Sequence, residues 1–138
     1  MEHRITWGGD PEDASITTFG TATAEGLDVW VQEALSDSRF HAKMRLLVDH
    51  RQLVWSGLSS DDVHERVKLF ANDAAHLDSA RLAVVMGTQV DFGMARMEQA
   101  YIDINPDLKM KTRVFFTIKD AREWLSEQPA LDASSIGS

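Results

Sequence analysis

The feature that most constrains the fold of this sequence is a regular alternation of strand-like and helix-like segments. Short apolar runs without polar interruption, such as Leu46-Leu47-Val48, predict strands that are covered on both faces. Between such runs, apolar residues recur every three or four positions, as they do on one face of a helix. The first helical segment has this spacing at Leu27, Trp30, Val31, Ala34 and Leu35. Strands that alternate with helices form parallel sheets with right-handed crossovers, so the sequence predicts an α/β fold.

The predicted order is a hairpin, three helix-and-strand units and a final helix. The hairpin strands, Arg4–Trp7 and Ser15–Phe19, flank the turn sequence Gly8-Gly9-Asp10-Pro11 and are expected to pair antiparallel. Three further strands are expected at Arg45–Asp49, Arg81–Met86 and Thr112–Phe116. The prediction is therefore four parallel strands plus an N-terminal antiparallel strand, with helices packed on the sheet.

Helix starts and apolar faces can also be assigned from the sequence. We expect helix N-caps at Thr23, at Ser59 or Ser60, and at Thr117, because hydroxyl side chains bond the first amides of a helix. The third helix is predicted to bury one apolar stripe, formed by Val90, Met94, Met97, Tyr101 and Ile104.

Length and composition limit the classes of protein to consider. A chain of 138 residues fits one domain, expected over residues 1–128 and followed by a flexible tail at 129–138. Cysteine is absent, which excludes disulfides and thiol chemistry. Without a leader-like N-terminus or an apolar run long enough to cross a bilayer, the chain is expected to be cytoplasmic.

The net charge of −8 argues against a nucleic-acid partner, because binding a duplex requires basic residues to neutralise phosphates. The local basic residues Lys109, Lys111 and Arg113 are interpreted as charges that protect the start of a strand from edge pairing. No cofactor or metal is predicted, since none of the five histidines lies four residues from another.

In open α/β sheets, ligands bind outside the carboxyl ends of the strands. This rule selects Gly20-Thr21, Asp49-His50-Arg51, Gly87-Thr88-Gln89 and Thr117, which we expect to converge on one rim of the sheet. Asp49-His50-Arg51 could supply an acid–base pair and an anion-binding arginine. Alternatively, Asp49 braces the following loop while His50 and Arg51 lie in solvent. Adjacent strand residues point to opposite faces, which argues against convergence of Asp49 and His50.

Two aromatic residues complete the candidate site. Trp55 follows a predicted strand, where it either anchors the loop to the core or faces a ligand or partner. Phe92 is a candidate for lining a pocket. No catalytic residue is assigned, and the full set of candidate binding residues is Asp49, His50, Arg51, Trp55, Ser56, Ser59, Thr88, Gln89, Phe92 and Thr117.

Several segments resemble the SpoIIAA-like superfamily, the fold of STAS domains, and more narrowly the bacterial proteins labelled STAS/SEC14 domain-containing. The resemblance extends from Met44 to Leu125 and depends on Leu46-Leu47-Val48-Asp49, Arg81-Leu82-Ala83-Val84-Val85, Phe92-Gly93-Met94-Ala95-Arg96-Met97, Arg113-Val114-Phe115 and Ala121-Arg122-Glu123-Trp124-Leu125. It implies successive β/α turns behind an N-terminal antiparallel strand.

The resemblance also implies a mode of regulation. STAS domains of the anti-sigma-factor-antagonist type bind a partner kinase and are switched by phosphorylation of a hydroxyl in an Asp-Ser-Ser-Gly-Leu-like run. The nearest run here is Val54-Trp55-Ser56-Gly57-Leu58, in which Val54 replaces the aspartate and Trp55 the acceptor. Conventional phospho-switching is therefore not expected, although Ser59 and Ser60 remain candidate hydroxyls at a helix start.

Three functions are consistent with these observations. The leading one is a non-enzymatic regulatory or protein-interaction module that uses the rim around Asp49, Arg51, Trp55, Ser56 and Ser59. The second, implied by the SEC14 label, is binding of a small hydrophobic or lipid-like ligand between helix and sheet, beside Phe92, Met94 and Trp55. The third is a small hydrolase that uses Asp49, His50 and Arg51. A homodimer could form through the hairpin's edge strand or through Trp30 on a helix surface.

Overall fold

The computed structural model describes residues 1–55, 58–72, 79–105 and 108–127. Ser56 and the predicted tail at 129–138 therefore lie outside the described residues. The strands are β1 (Glu2–Trp7), β2 (Ala14–Thr21), β3 (Arg45–Val54), β4 (Arg81–Val85) and β5 (Lys111–Phe115). The helices are α1 (Ala24–Ser36), α2 (Ser60–Asn72), α3 (Gln89–Ile104) and α4 (Ile118–Ser126).

The strands form one five-stranded sheet in the order β1-β2-β3-β4-β5. β1 pairs antiparallel with β2, and every other pairing is parallel, so the predicted fold class is confirmed. Because consecutive strands are neighbours and parallel crossovers are right-handed, all three connecting helices lie on the same face of the sheet. The fourth helix covers the opposite face.

Two apolar clusters match this arrangement. On the three-helix face, Leu46 and Val48 of β3 pack with buried residues of α1, α2 and α3. On the opposite face, Leu47 of β3 packs with Trp124 and Leu125 of α4. β3 therefore contributes alternate residues to both cores, as the uninterrupted apolar run predicted.

β3 is longer than the sequence indicated. We predicted that it ends at Asp49, but it continues to Val54. After a register shift, β2 pairs with the end of β3: Phe19, Gly20 and Thr21 lie opposite Gln52, Leu53 and Val54. This backbone pairing keeps polar residues in the strand. Gly20-Thr21 and Asp49-His50-Arg51 are therefore strand residues and do not lie in the loops where they were predicted.

β4 is shorter and pairs with only the first half of β3. Its last residue, Val85, lies opposite Asp49. The remaining five residues of β3 thus extend past the end of β4, with β2 on one side. We call the segment from His50 to Val54 the β3 extension.

Helix starts agree with the predicted caps. Thr23 and Thr117 accept hydrogen bonds from the amides of Gly26 and Asp120, and Thr88 accepts one from Asp91 in the same way. At α2 the cap is Ser59, which exchanges side-chain-to-backbone hydrogen bonds with Asp62 in a capping box.

Two predictions about helix faces were wrong. Ile104, assigned to the buried stripe of α3, is 77% exposed, and α3 instead turns Ala95 and Ile102 to the core. Trp30, expected on a surface that could seed a dimer, is only 2% exposed. Ile104 is the last residue of α3, whereas the apolar spacing of α1 already placed Trp30 on the buried face with Leu27 and Val31. β1 does lie at the sheet edge, and a homodimer through it stays a prediction.

No helix in the described part of the chain combines the length and the apolar character needed to cross a membrane.

Candidate functional site

A groove lies at the carboxyl-end rim of the sheet, between the β3 extension and the first turns of α3. Its volume is about 530 Å³. We call it the rim groove, and the residues that line it are Arg51, Gln52, Leu53, Val54, Trp55, Leu58, Thr88, Asp91 and Met94. Of the predicted binding residues, the fold brings together Arg51, Trp55 and Thr88 here. This groove corresponds to the location that the strand-end rule selected.

Apolar and polar side chains both line the rim groove. Trp55 is 5% exposed and belongs to the main core, so it anchors the chain after β3 and also forms part of the groove wall. Val54, which also lines the groove, is 52% exposed. The groove thus presents an exposed aliphatic side chain next to a buried tryptophan.

The predicted acid–base set is not assembled. Arg51 donates from Nε and Nη2 to the two carboxylate oxygens of Asp49, each at 2.9 Å. Burial raises the pKa of the Asp49 carboxyl, but the hydrogen bonds from Arg51 outweigh burial and hold that pKa below its ordinary value. His50 points to the opposite face, as the alternation of strand residues requires. Arg51 is therefore engaged with Asp49 and has no histidine partner for proton transfer.

His50 is not in solvent, contrary to the alternative interpretation of this segment. It is 2% exposed, and its Nδ1 lies 2.7 Å from the hydroxyl oxygen of Thr18. Burial, reinforced by the positive charge of Arg66, lowers the pKa of His50 to about 3. The imidazole is consequently neutral at physiological pH and packs edge-on against Trp55, with ring centroids 5.2 Å apart.

Around His50 lies a buried polar cluster that sequence reasoning missed. We call it the core polar cluster, and it surrounds a closed space of about 10 Å³ lined in part by Trp30, Arg66, Glu98 and Thr112. That volume is close to what one water molecule requires, roughly 10–15 Å³. An acyl chain does not fit in this space, whose lining contains neither Phe92 nor Met94, two of the three residues named for the predicted lipid site.

The core polar cluster contains a buried ion pair. Nη1 of Arg66 on α2 lies 3.5 Å from Oε2 of Glu98 on α3. Burial raises the pKa of Glu98, and the positive charge of Arg66 offsets that effect only in part. One signal in the sequence could have revealed the pair: Arg66 lies between Val63 and Val67, on the face of α2 that the apolar spacing assigns to the core.

The remaining predicted residues that the structure describes lie outside the groove lining. Phe92 stacks on Phe116 with ring centroids 4.2 Å apart. Thr117 caps α4, Ser59 caps α2, and Gln89 is the exposed first residue of α3.

A second groove, of about 500 Å³, lies between β1 and the end of α1. Charged groups that line it already contact each other: Arg39 donates to Asp37 at 2.8 Å, and His3 contacts Glu33. The charged side chains of this groove are thus engaged with one another.

Comparison with solved structures identifies a protein of the same fold. It is an uncharacterised protein of the DUF3478 family from Shewanella loihica PV-4, described as having a SpoIIAA-like fold. The match has a TM-score of 0.57 and 18% sequence identity, and it covers 89% of this chain and 93% of the other. No family model matches the sequence, and no curated protein matches it. The SpoIIAA-like fold expected from the resemblance is thus confirmed. A structural similarity at 18% sequence identity shows the fold and does not indicate an activity.

Proposed function

We propose that this protein is a non-enzymatic interaction module that binds a partner protein in the rim groove. The observation that supports this proposal best is the exposed Val54 in the lining of the rim groove, at the sheet edge where α/β folds bind their ligands. The position of His50 on the far side of the sheet from Asp49 and Arg51 weakens the alternative of a hydrolase.

Site-specific photo-crosslinking tests the proposal. A benzophenone amino acid placed at Val54 in the native host is expected to give a discrete crosslinked product with a second protein. Val29 on α1 is a matched control, because it is 50% exposed against 52% for Val54 and lies outside the groove lining. The proposal requires that the product form from position 54, not from position 29, and that it disappear in the Met94→Glu variant. Identical products from both positions, or none from position 54, would contradict it.

A second candidate function is binding of a small hydrophobic ligand in the same groove. Its volume of about 530 Å³ supports this alternative, because small-molecule pockets commonly measure about 300–1,000 Å³. Native mass spectrometry separates the two functions. A retained ligand would add a defined mass to the wild-type protein and be lost in Met94→Trp, which fills the groove, whereas a protein-binding module would show the bare chain mass.

A further inference from the structure

The β3 extension has a strand neighbour on one side only. β2 pairs with it through Val54, whereas β4 pairs with β3 only from Arg45 to Asp49. The rim groove occupies the side on which β4 has ended. A polypeptide lying in this groove would therefore be placed next to the backbone of a strand.

The hydrogen bonds show which backbone groups face the groove. The amide of Ala22 donates to the carbonyl of Val54 at 2.7 Å, so the backbone groups of Val54 point toward β2. In a parallel ladder the amide and carbonyl of one residue face the same neighbour, and successive residues alternate sides. The N–H and C=O of Leu53 consequently point away from β2, toward the groove.

Both ends of this edge are closed by the chain itself. A Cβ on Gly87 would lie 3.0 Å from the carbonyl oxygen of Arg51, so the turn after β4 covers the edge up to Arg51. At the other end, the carbonyl of Trp55 accepts a hydrogen bond from the amide of Leu58. Between these two ends, the amide and carbonyl of Leu53 face the groove. Within the described residues, no strand lies on the groove side to pair with them.

We propose that the rim groove binds its partner as a short extended segment that pairs with Leu53 and adds a strand where a longer β4 would lie. This inference depends on the proposed function and specifies the form of the partner. Side chains of an added strand alternate between two faces. Those on one face would contact Trp55, Leu58 and Met94, so the segment should carry apolar residues at every second position. Backbone hydrogen bonds supply affinity in this mode, and the alternate side chains supply specificity.

The experiment uses a phage-displayed library of random 12-residue peptides selected on the immobilised full-length chain. Selected peptides are measured against wild type, against Val54→Asp, and against the equally exposed control Val29→Asp. Each peptide is then remade with one backbone amide N-methylated at a time, which removes a hydrogen-bond donor without altering the protein.

For a strand added at Leu53, N-methylation of the one peptide amide that donates to the Leu53 carbonyl should weaken binding about tenfold, while methylation at every other position should change it by less than about twofold. The amide of Leu53 should also become protected from hydrogen exchange when the peptide binds. Peptides that require Val54 but tolerate every N-methylation would overturn this inference and leave the interaction module intact. If no selected peptide distinguishes Val54→Asp from Val29→Asp, both proposals fail.

Discussion

At the residue scale, the core polar cluster makes stability depend on pH. Burial lowers the pKa of His50 from 6.5 to about 3, so the folded protein resists protonation of a group that the unfolded chain protonates readily. As pH falls below 6.5, protons bind the unfolded state first and stability decreases. Glu98 acts in the opposite direction: burial raises its pKa, so stability attributable to it falls as pH rises above 4.5. Asp49 interacts with His50 through its charge, and its own pKa is lowered, mainly by hydrogen bonds from Arg51 that outweigh burial.

We predict that wild type loses about 2 kcal/mol more unfolding free energy between pH 7 and pH 5 than His50→Asn does. The imidazole accounts for this difference, because asparagine does not titrate. Urea unfolding at several pH values measures it, and Glu98→Gln is the control that removes the opposing contribution. Parallel pH profiles for wild type and His50→Asn would contradict this prediction, because they would show that His50 has the same pKa in the folded and unfolded states.

The Arg66–Glu98 pair leads to a second prediction at this scale. Arg66→Met should cost about 3 kcal/mol, because the carboxyl of Glu98 would remain buried beside an apolar side chain. The double variant Arg66→Met/Glu98→Leu should lose less than the sum of the two single variants, since no buried charge is left without its partner. A double-mutant cycle in urea measures the coupling, and additive losses would mean that the 3.5 Å contact does not stabilise the fold.

At the scale of elements, the described helices begin at hydroxyl N-caps, and for two of them the capping role can be separated from a role in binding. Thr88 and Thr117 make the same side-chain hydrogen bond, at 3.1 Å, to the third residue of the helix that follows. Only Thr88 also lines the rim groove. Replacing each threonine by alanine therefore separates the effect of losing a helix cap on stability from the effect of changing the groove on binding.

Thr88→Ala and Thr117→Ala should each reduce the unfolding free energy by about 1 kcal/mol, the usual contribution of an N-cap. Chemical denaturation checks this pair of values. Affinity for a groove-binding peptide should fall in Thr88→Ala and stay at the wild-type level in Thr117→Ala. An equal loss of affinity in both variants would place the binding surface elsewhere on the rim.

At the scale of the whole molecule, the two sides of the sheet are covered unequally. Three helices cover one face, whereas α4 supplies the helical residues of the apolar cluster on the other, among them the fully buried Ala121 and Leu125. Arg122 also binds Glu12 in the hairpin loop through its guanidinium, at 2.9 Å, which links α4 to the start of the chain. Among the described residues, the helical cover of this face is thus one nine-residue helix.

We predict that Leu125→Ala destabilises the protein by about 2–5 kcal/mol, because it leaves a cavity under the helix that covers this face. Hydrogen exchange should show lost amide protection in α4 and in β4 beneath it. Leu69→Ala on α2 is the control: this leucine is 37% exposed, so its loss should cost far less. Similar costs for the two variants would indicate that α4 packs only loosely on the sheet.

Much of the fold follows from local patterns in the sequence. The continuous apolar run at Leu46-Leu47-Val48, the threonine caps at Thr23 and Thr117, and the turn chemistry after Trp7 each depend on short-range physics. Apolar runs that need two covered faces require a parallel sheet with helices on both sides, and right-handed crossovers then restrict the topology. These features were predictable because neighbouring residues alone determine them.

The site was less predictable, because it depends on pairs that are distant in sequence. The pairing of β2 with Gln52–Val54 keeps polar residues in a strand and moves the strand end five residues onward. The rotation of α2 and α3 brings Arg66 and Glu98 together beside His50, although 32 positions separate the two charges in the chain. The sequence by itself determined the elements, their order and the rim where a site belongs. Only the tertiary structure decided how far each strand extends and which polar residues are buried, because backbone pairing and desolvation arise when distant segments meet.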